Sequence, residues 1–94
     1  MDTLIFKIVK SKSFKKDFKK LSNDEKSDTL NIILKLAKGE PLEEKYKDHQ
    51  MVGELKSFRD CHVRPDLILI YKYNDIEVEL YLLRIGSHSK LLKM

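Results

Sequence analysis

A chain of 94 residues with 41% hydrophobic and 36% charged residues has enough aliphatic content for one thin-cored globular domain and too much for disorder. The single cysteine, Cys61, rules out an intramolecular disulfide, the opening MDTLIFKIVK is too charged for a signal peptide, and no apolar run nears the ~20 residues of a membrane span; a reducing compartment, the cytoplasm, is expected. The net charge of +4 is gathered at the ends: residues 1–20 hold seven lysines against Asp2 and Asp17, and residues 84–94 add Arg84, Lys90 and Lys93 without an acid, which suits either a polyanionic partner or a plain solvated surface.

In chain order, residues 3–9 (TLIFKIV) alternate Leu4, Phe6 and Ile8 against Lys7 and predict a first strand. In SKSFKKDFKKL, Phe14, Phe18 and Leu21 fall at i, i+4 and i+7, one apolar stripe on a helix otherwise faced with lysine. SNDEKSDTLNIILKLAKGEP opens on a capping box, Ser22 with Glu25. Its predicted buried face is Leu30, Ile33, Leu34 and Ala37; Gly39 supplies a left-handed residue past the end and Pro41 blocks continuation. Two helices packed as a hairpin follow.

Residues 41–56 show no clean period and read as a loop with a short strand near its end. Phe58 to Val63 alternates, Arg64-Pro65 marks a turn, and Leu67 to Tyr73 is a dense apolar run. Asn74-Asp75 marks a second hairpin turn. Ile76 to Ile85 alternates again, with Ile76, Val78, Leu80 and Leu82 on one side, Glu77, Glu79 and Tyr81 on the other, and Gly86 at the end. A strand, a two-helix hairpin and three antiparallel strands make an α+β domain spanning residues 1–94.

The stretch FRDCHVRPD places Arg59, Asp60, His62, Arg64 and Asp66 around one bend, more ionisable chemistry than a hairpin needs for its own stability. His49 lies in the preceding loop, and Arg84 and His88 lie at the end of the last strand. Pairing of consecutive antiparallel strands can gather such positions on one face. Each also has a plainer reading: an isolated surface histidine, or an aspartate that favours a turn after proline. Zinc is not expected, because the histidine spacings of 13 and 26 residues match no compact ligand motif and Cys61 lies inside a strand. The functional reading is acid–base chemistry on a phosphodiester without metal. One neutral imidazole accepts a proton, a second, charged, donates one, and a guanidinium matches the phosphate oxygens.

These residues resemble the YafQ branch of the RelE/ParE toxin superfamily. The matching elements are Lys47-Asp48-His49, a looser spacer at Gly53, Phe58-Arg59-Asp60 with His62, Pro65-Asp66, Leu69-Ile70-Tyr71, and Arg84 with Gly86-Ser87-His88. The resemblance implies a RelE-like microbial RNase fold and the toxin of a type II toxin–antitoxin pair, an endoribonuclease that cuts mRNA on the ribosome. It implies His49, His62, Asp66, Arg84 and His88 as catalytic residues. His49, or His62 supported by Asp66, would take the 2′-hydroxyl proton, Arg84 would stabilise the transition state and His88 would protonate the leaving oxygen. Lys47, Arg59, Arg64 and Lys90 are expected to bind RNA, and no cofactor or metal is expected.

Two positions depart from the family pattern: Leu67, where some relatives carry an aromatic, and Leu92, where the family often has phenylalanine. Loss of base stacking there would change codon preference or efficiency, with Tyr46 or Tyr71 as substitutes or as packing residues. The expected partners are mRNA on the ribosome and an acidic antitoxin wrapping the lysine-rich helices or covering the cleft. Two other readings are a non-catalytic superfamily member aimed at a gyrase-type target and a simple RNA-binding module.

Overall fold

The computed structural model describes residues 4–91. Strand β1 covers Lys7–Lys10, later than the predicted 3–9; residue 3 lies outside the described residues. The shift has a cause. The amides of Ile5 and Phe6 both donate to the Ala37 carbonyl at 2.9 Å, so a carbonyl left over at a helix end takes the backbone that alternation assigned to the strand.

Helix α1, Lys12–Lys19, starts where the Ser11 hydroxyl accepts from the Phe14 amide. Phe14 is buried, and Phe18 and Leu21 pack against the core as the stripe requires. Asp17 shares that stripe and is buried with it. Helix α2, Asn23–Ala37, carries both halves of the capping box, at 2.9 and 3.2 Å. It closes in a Schellman motif: Gly39, at φ +75°, donates to Leu36 and Glu40 donates to Lys35, both at 3.0 Å.

The buried face of α2 is rotated from the predicted one. Thr29, Ile32, Ile33, Leu36 and Ala37 are buried, whereas Leu30 and Leu34 are 45% and 42% exposed. Threonine can join the apolar stripe because its hydroxyl donates to the Glu25 carbonyl at 2.7 Å, so no polar atom is left orphaned.

The remaining strands are β2 (His49–Gln50), β3 (Arg59–Arg64), β4 (Leu67–Asn74) and β5 (Glu79–Gly86), followed by the short helix α3, His88–Leu91. β2 lies mid-loop between two 3-10 turns, Glu44–Tyr46 and Gly53–Leu55. The sheet order is β1-β5-β4-β3-β2, with β1 parallel to β5 and the other pairs antiparallel. One sheet face packs Cys61, Val63, Leu69, Tyr71, Leu80, Leu82 and Ile85 against Phe14, Ile32, Ile33, Leu36 and Ala37 of the helices.

β5 begins later than predicted. The Asn74 side chain accepts from the amides of Ile76 and Glu77 at 3.1 Å, and Val78 takes φ 52°. Ile76 is consequently 92% exposed and Val78 43%, despite their place in the alternation. The local turn outcompetes the strand.

Candidate active site

Register decides which ionisable groups meet. Paired residues on neighbouring strands share a face. His49 pairs with Asp60, Asp60 with Ile70, and Ile70 with Arg84. This row crosses four strands on the face opposite the helical core. The next row is His62–Ile68–Gly86, and His88 opens α3 two residues beyond Gly86.

A bulge makes this possible. Ile70 pairs with Arg84 but Tyr71 with Leu82, so Leu83 is an extra residue in β5. Unbroken alternation would send Arg84 to the core side with Leu80 and Leu82. The bulge puts Ile85 there instead and re-aims Arg84.

Asp60 is the centre of the constellation and was absent from the predicted catalytic set. It is 4% exposed, and one of its oxygens, Oδ1, has no hydrogen-bond partner. His49 Nε2 stands 3.3 Å from that oxygen, close enough for an ion pair but not aligned as a hydrogen bond. Burial raises the Asp60 carboxyl above its ordinary range, while the charges of His49, His62 and His88 pull it back. Of the three imidazoles it is that of His49 that contacts this carboxylate, and His62 shares its face two residues along β3. The signal for it was present in the sequence: Asp60 shares strand parity with His62.

The other residues fall into definite places. His49 is exposed, its Nδ1 2.8 Å from the Lys47 carbonyl. His62 is half-buried. Asp66 does not support His62; its Oδ1 accepts from the backbone amide of His88 at 3.1 Å, fixing the start of α3. Arg84 gives Nε and Nη2 to Asp17 at 2.6 and 3.1 Å.

Asp17 serves the sheet as well. β1 ends at Lys10 opposite Leu82, so β5 has no neighbouring strand on that side beyond this point. The Ser11 hydroxyl donates to the Leu83 carbonyl at 2.6 Å, and Asp17 accepts from the Ile85 amide at 3.2 Å. Burial alone would raise the Asp17 carboxyl; its bonds from Arg84 and Ile85, with Lys90 at 3.6 Å, hold it below the ordinary carboxylate range.

The residues expected to bind RNA are mostly occupied. Arg59 pairs with Tyr71 across β4, on the core side, and binds Asp48 through Nη2 at 3.1 Å. The Tyr71 hydroxyl donates to the same carboxylate, so Tyr71 is a packing residue that burial and Asp48 keep protonated. Arg64 binds Asp28 of α2 at 2.7 Å. Lys47 and Arg64 line a hollow of about 830 Å³ between α2 and β3, with Lys35, Lys45 and His62. Cys61 is fully buried and its thiol is pushed up by burial, which leaves it chemically inert.

The family model described as a bacterial toxin of a type II toxin–antitoxin system, YafQ, matches residues 6–93. The chain belongs to the YafQ toxin family. An mRNA interferase toxin YafQ of Escherichia coli K12 is 47% identical over 51 residues, 54% of this chain and 53% of that protein. The chain spans about half the length of the curated relatives it matches. Among solved structures, a copper-bound mutant toxin from Helicobacter pylori superposes with a TM-score of 0.83 at 46% identity, covering 92% of this chain and 98% of that one. The toxin in the E. coli DinJ–YafQ toxin–antitoxin complex gives 0.80 at 35% identity, covering 94% and 98%. The copper belongs to the Helicobacter structure; among the described residues here, no three histidine, cysteine or carboxylate side chains are grouped as metal ligands.

Proposed function

We propose that this YafQ-family chain is an mRNA endonuclease that acts on the ribosome and cuts by transphosphorylation, without a metal. The observation that carries the reading is the row His49–Asp60–Ile70–Arg84 with His62 on the same face in the next row and His49 Nε2 3.3 Å from buried Asp60. In the reaction a neutral imidazole, His49 or His62, takes the proton of the 2′-hydroxyl. The 2′-oxygen bonds to phosphorus as the P–O5′ bond breaks, and the His88 imidazolium protonates the departing 5′-oxygen. The products are a 2′,3′-cyclic phosphate and a 5′-hydroxyl.

Asp60 stabilises the charged imidazoles, and Asp66 positions His88 through its amide. Asp17 holds the guanidinium plane of Arg84 with two of its five N–H donors, leaving others for the phosphate oxygens. mRNA carrying a 2′-deoxyribose at the cut position should resist cleavage on translating ribosomes. His88→Ala should slow the cut 10²–10⁴-fold, the usual worth of a general acid, and relieve toxicity together with Arg84→Ala. Cleavage of the deoxy substrate, or full toxicity of both variants, would overturn the mechanism.

The partner reading has its own surface. Leu30 and Leu34, exposed on α2, line a groove of about 430 Å³ with Phe14, Phe18 and Ile33, rimmed by Lys10, Lys15 and Lys19. An apolar floor with a cationic rim fits an amphipathic acidic segment of a cognate antitoxin, which would order on binding. Cytoplasmic location goes with this reading, and no helix among the described residues is long and apolar enough to cross a membrane.

A further inference from the structure

One more row of side chains lies on the same face as the histidines and takes no part in proton transfer. Phe58 precedes Asp60 by two residues and Lys72 follows Ile70 by two. Lys72 pairs directly with Tyr81, and the Arg59–Tyr71 pairing sets Phe58 on its other flank. The Phe58 and Tyr81 ring centroids are 6.4 Å apart. Between them, the Lys72 ammonium stands 4.9 Å from the Phe58 centroid and 5.7 Å from that of Tyr81. All three residues are half-buried.

Lys72 differs from the cations paired on or beside the histidine face. Arg59, Arg64, Arg84 and Lys90 all face carboxylates within the chain, whereas Lys72 rests on two rings. A cation on aromatic faces gives up only about 0.5–2 kcal/mol on leaving them, so its charge is available to a phosphate. Two residues along a strand span roughly 7 Å, a distance that one unstacked nucleotide bridges. Leu67, at the position where some relatives carry an aromatic, is buried in the core at 4% exposure and offers no stacking surface.

We infer that Phe58, Lys72 and Tyr81 form the subsite for the nucleotide beside the scissile bond, its base against the rings and its phosphate on the Lys72 ammonium. The inference rests on the nuclease reading of the neighbouring rows. Stacking is tolerant of base identity, so this subsite supplies affinity and register along the strand, and a preference for larger bases.

Kinetics on mRNA-programmed ribosomes tests it. Phe58→Leu and Tyr81→Leu should each raise KM about tenfold with kcat changed less than threefold, and Phe58→Tyr and Tyr81→Phe should restore KM. A second measurement needs no substitution in the row: the His88→Ala chain, bound to programmed ribosomes carrying 5-iodouridine beside the cut position, should photo-crosslink at Phe58 or Tyr81. Unchanged KM in both leucine variants, or crosslinks confined to other residues, would overturn the subsite. Crosslinks at Phe58 or Tyr81 from a chain whose unsubstituted form cuts no RNA would uphold the subsite and sink the nuclease reading.

Discussion

Asp17 and Asp60 are both buried carboxylates, and their surroundings push them in opposite directions. Asp17 is held low by Arg84 and Ile85 despite its burial. A depressed carboxyl adds stability above its unfolded value and loses it as pH falls through the folded one. Asp17→Asn should therefore cost about 2–3 kcal/mol at neutral pH, less than the loss of a fully buried pair because the Arg84 side chain is 33% exposed. In chemical denaturation the difference from the unsubstituted chain should narrow in acid. Asp60 is raised, chiefly by burial. A raised carboxyl favours the fold below its unfolded value, and that contribution is lost as pH rises through the folded one. Asp60→Asn should thus stabilise the chain by about 1 kcal/mol at neutral pH, the low end of the cost of an unsatisfied buried polar group. The gain should vanish below the ordinary carboxylate range, and cleavage should fall at least about tenfold through loss of imidazolium stabilisation. Greater stability with lower activity would mark Asp60 as a group kept for chemistry.

At the scale of elements, helix α2 is specified by its two ends. Ser22→Ala removes one half of the capping box and should cost about 1 kcal/mol in urea unfolding. Gly39→Ala should cost about 1–2 kcal/mol, because an L residue at φ +75° is conformationally strained. Sterics contribute little there, since the added Cβ would meet Ile5 at 3.4 Å and Phe6 at 3.8 Å. Strand β5 depends on elements outside itself. Its free edge past Leu82 is completed by Ser11 and Asp17 of the α1 region, so damage to α1 reaches the strand that carries Arg84 directly.

For the whole molecule, the two sheet faces divide the work: one buries the core against the helices, and the other presents the ionisable rows. The apolar groove on the helical side lies over the core residues Phe14 and Ile33, and Leu30 lines it without lining the hollow beside His62, so Leu30→Asp should leave cleavage intact while weakening neutralisation by the antitoxin at least tenfold. Co-purification and a toxicity-rescue assay would check this. An antitoxin that still rescues fully would show that it docks elsewhere.

What short-range chemistry dictates was legible in the sequence: the Phe14–Phe18–Leu21 stripe, the Ser22–Glu25 cap, the Gly39 stop, the hairpin at Pro65 and the identity of the three histidines. It misjudged the strand limits at Ile5 and Ile76 and the buried face at Leu30 and Leu34, where a helix-end carbonyl, an Asn74 side chain and a self-satisfied Thr29 hydroxyl overrode periodicity. Long-range register settled that Asp60 lies beside His49, that Asp66 serves His88, and that a bulge at Leu83 turns Arg84 away from the core. These depend on register between strands distant in sequence, which no local pattern encodes, because one extra residue exchanges the two faces of a strand.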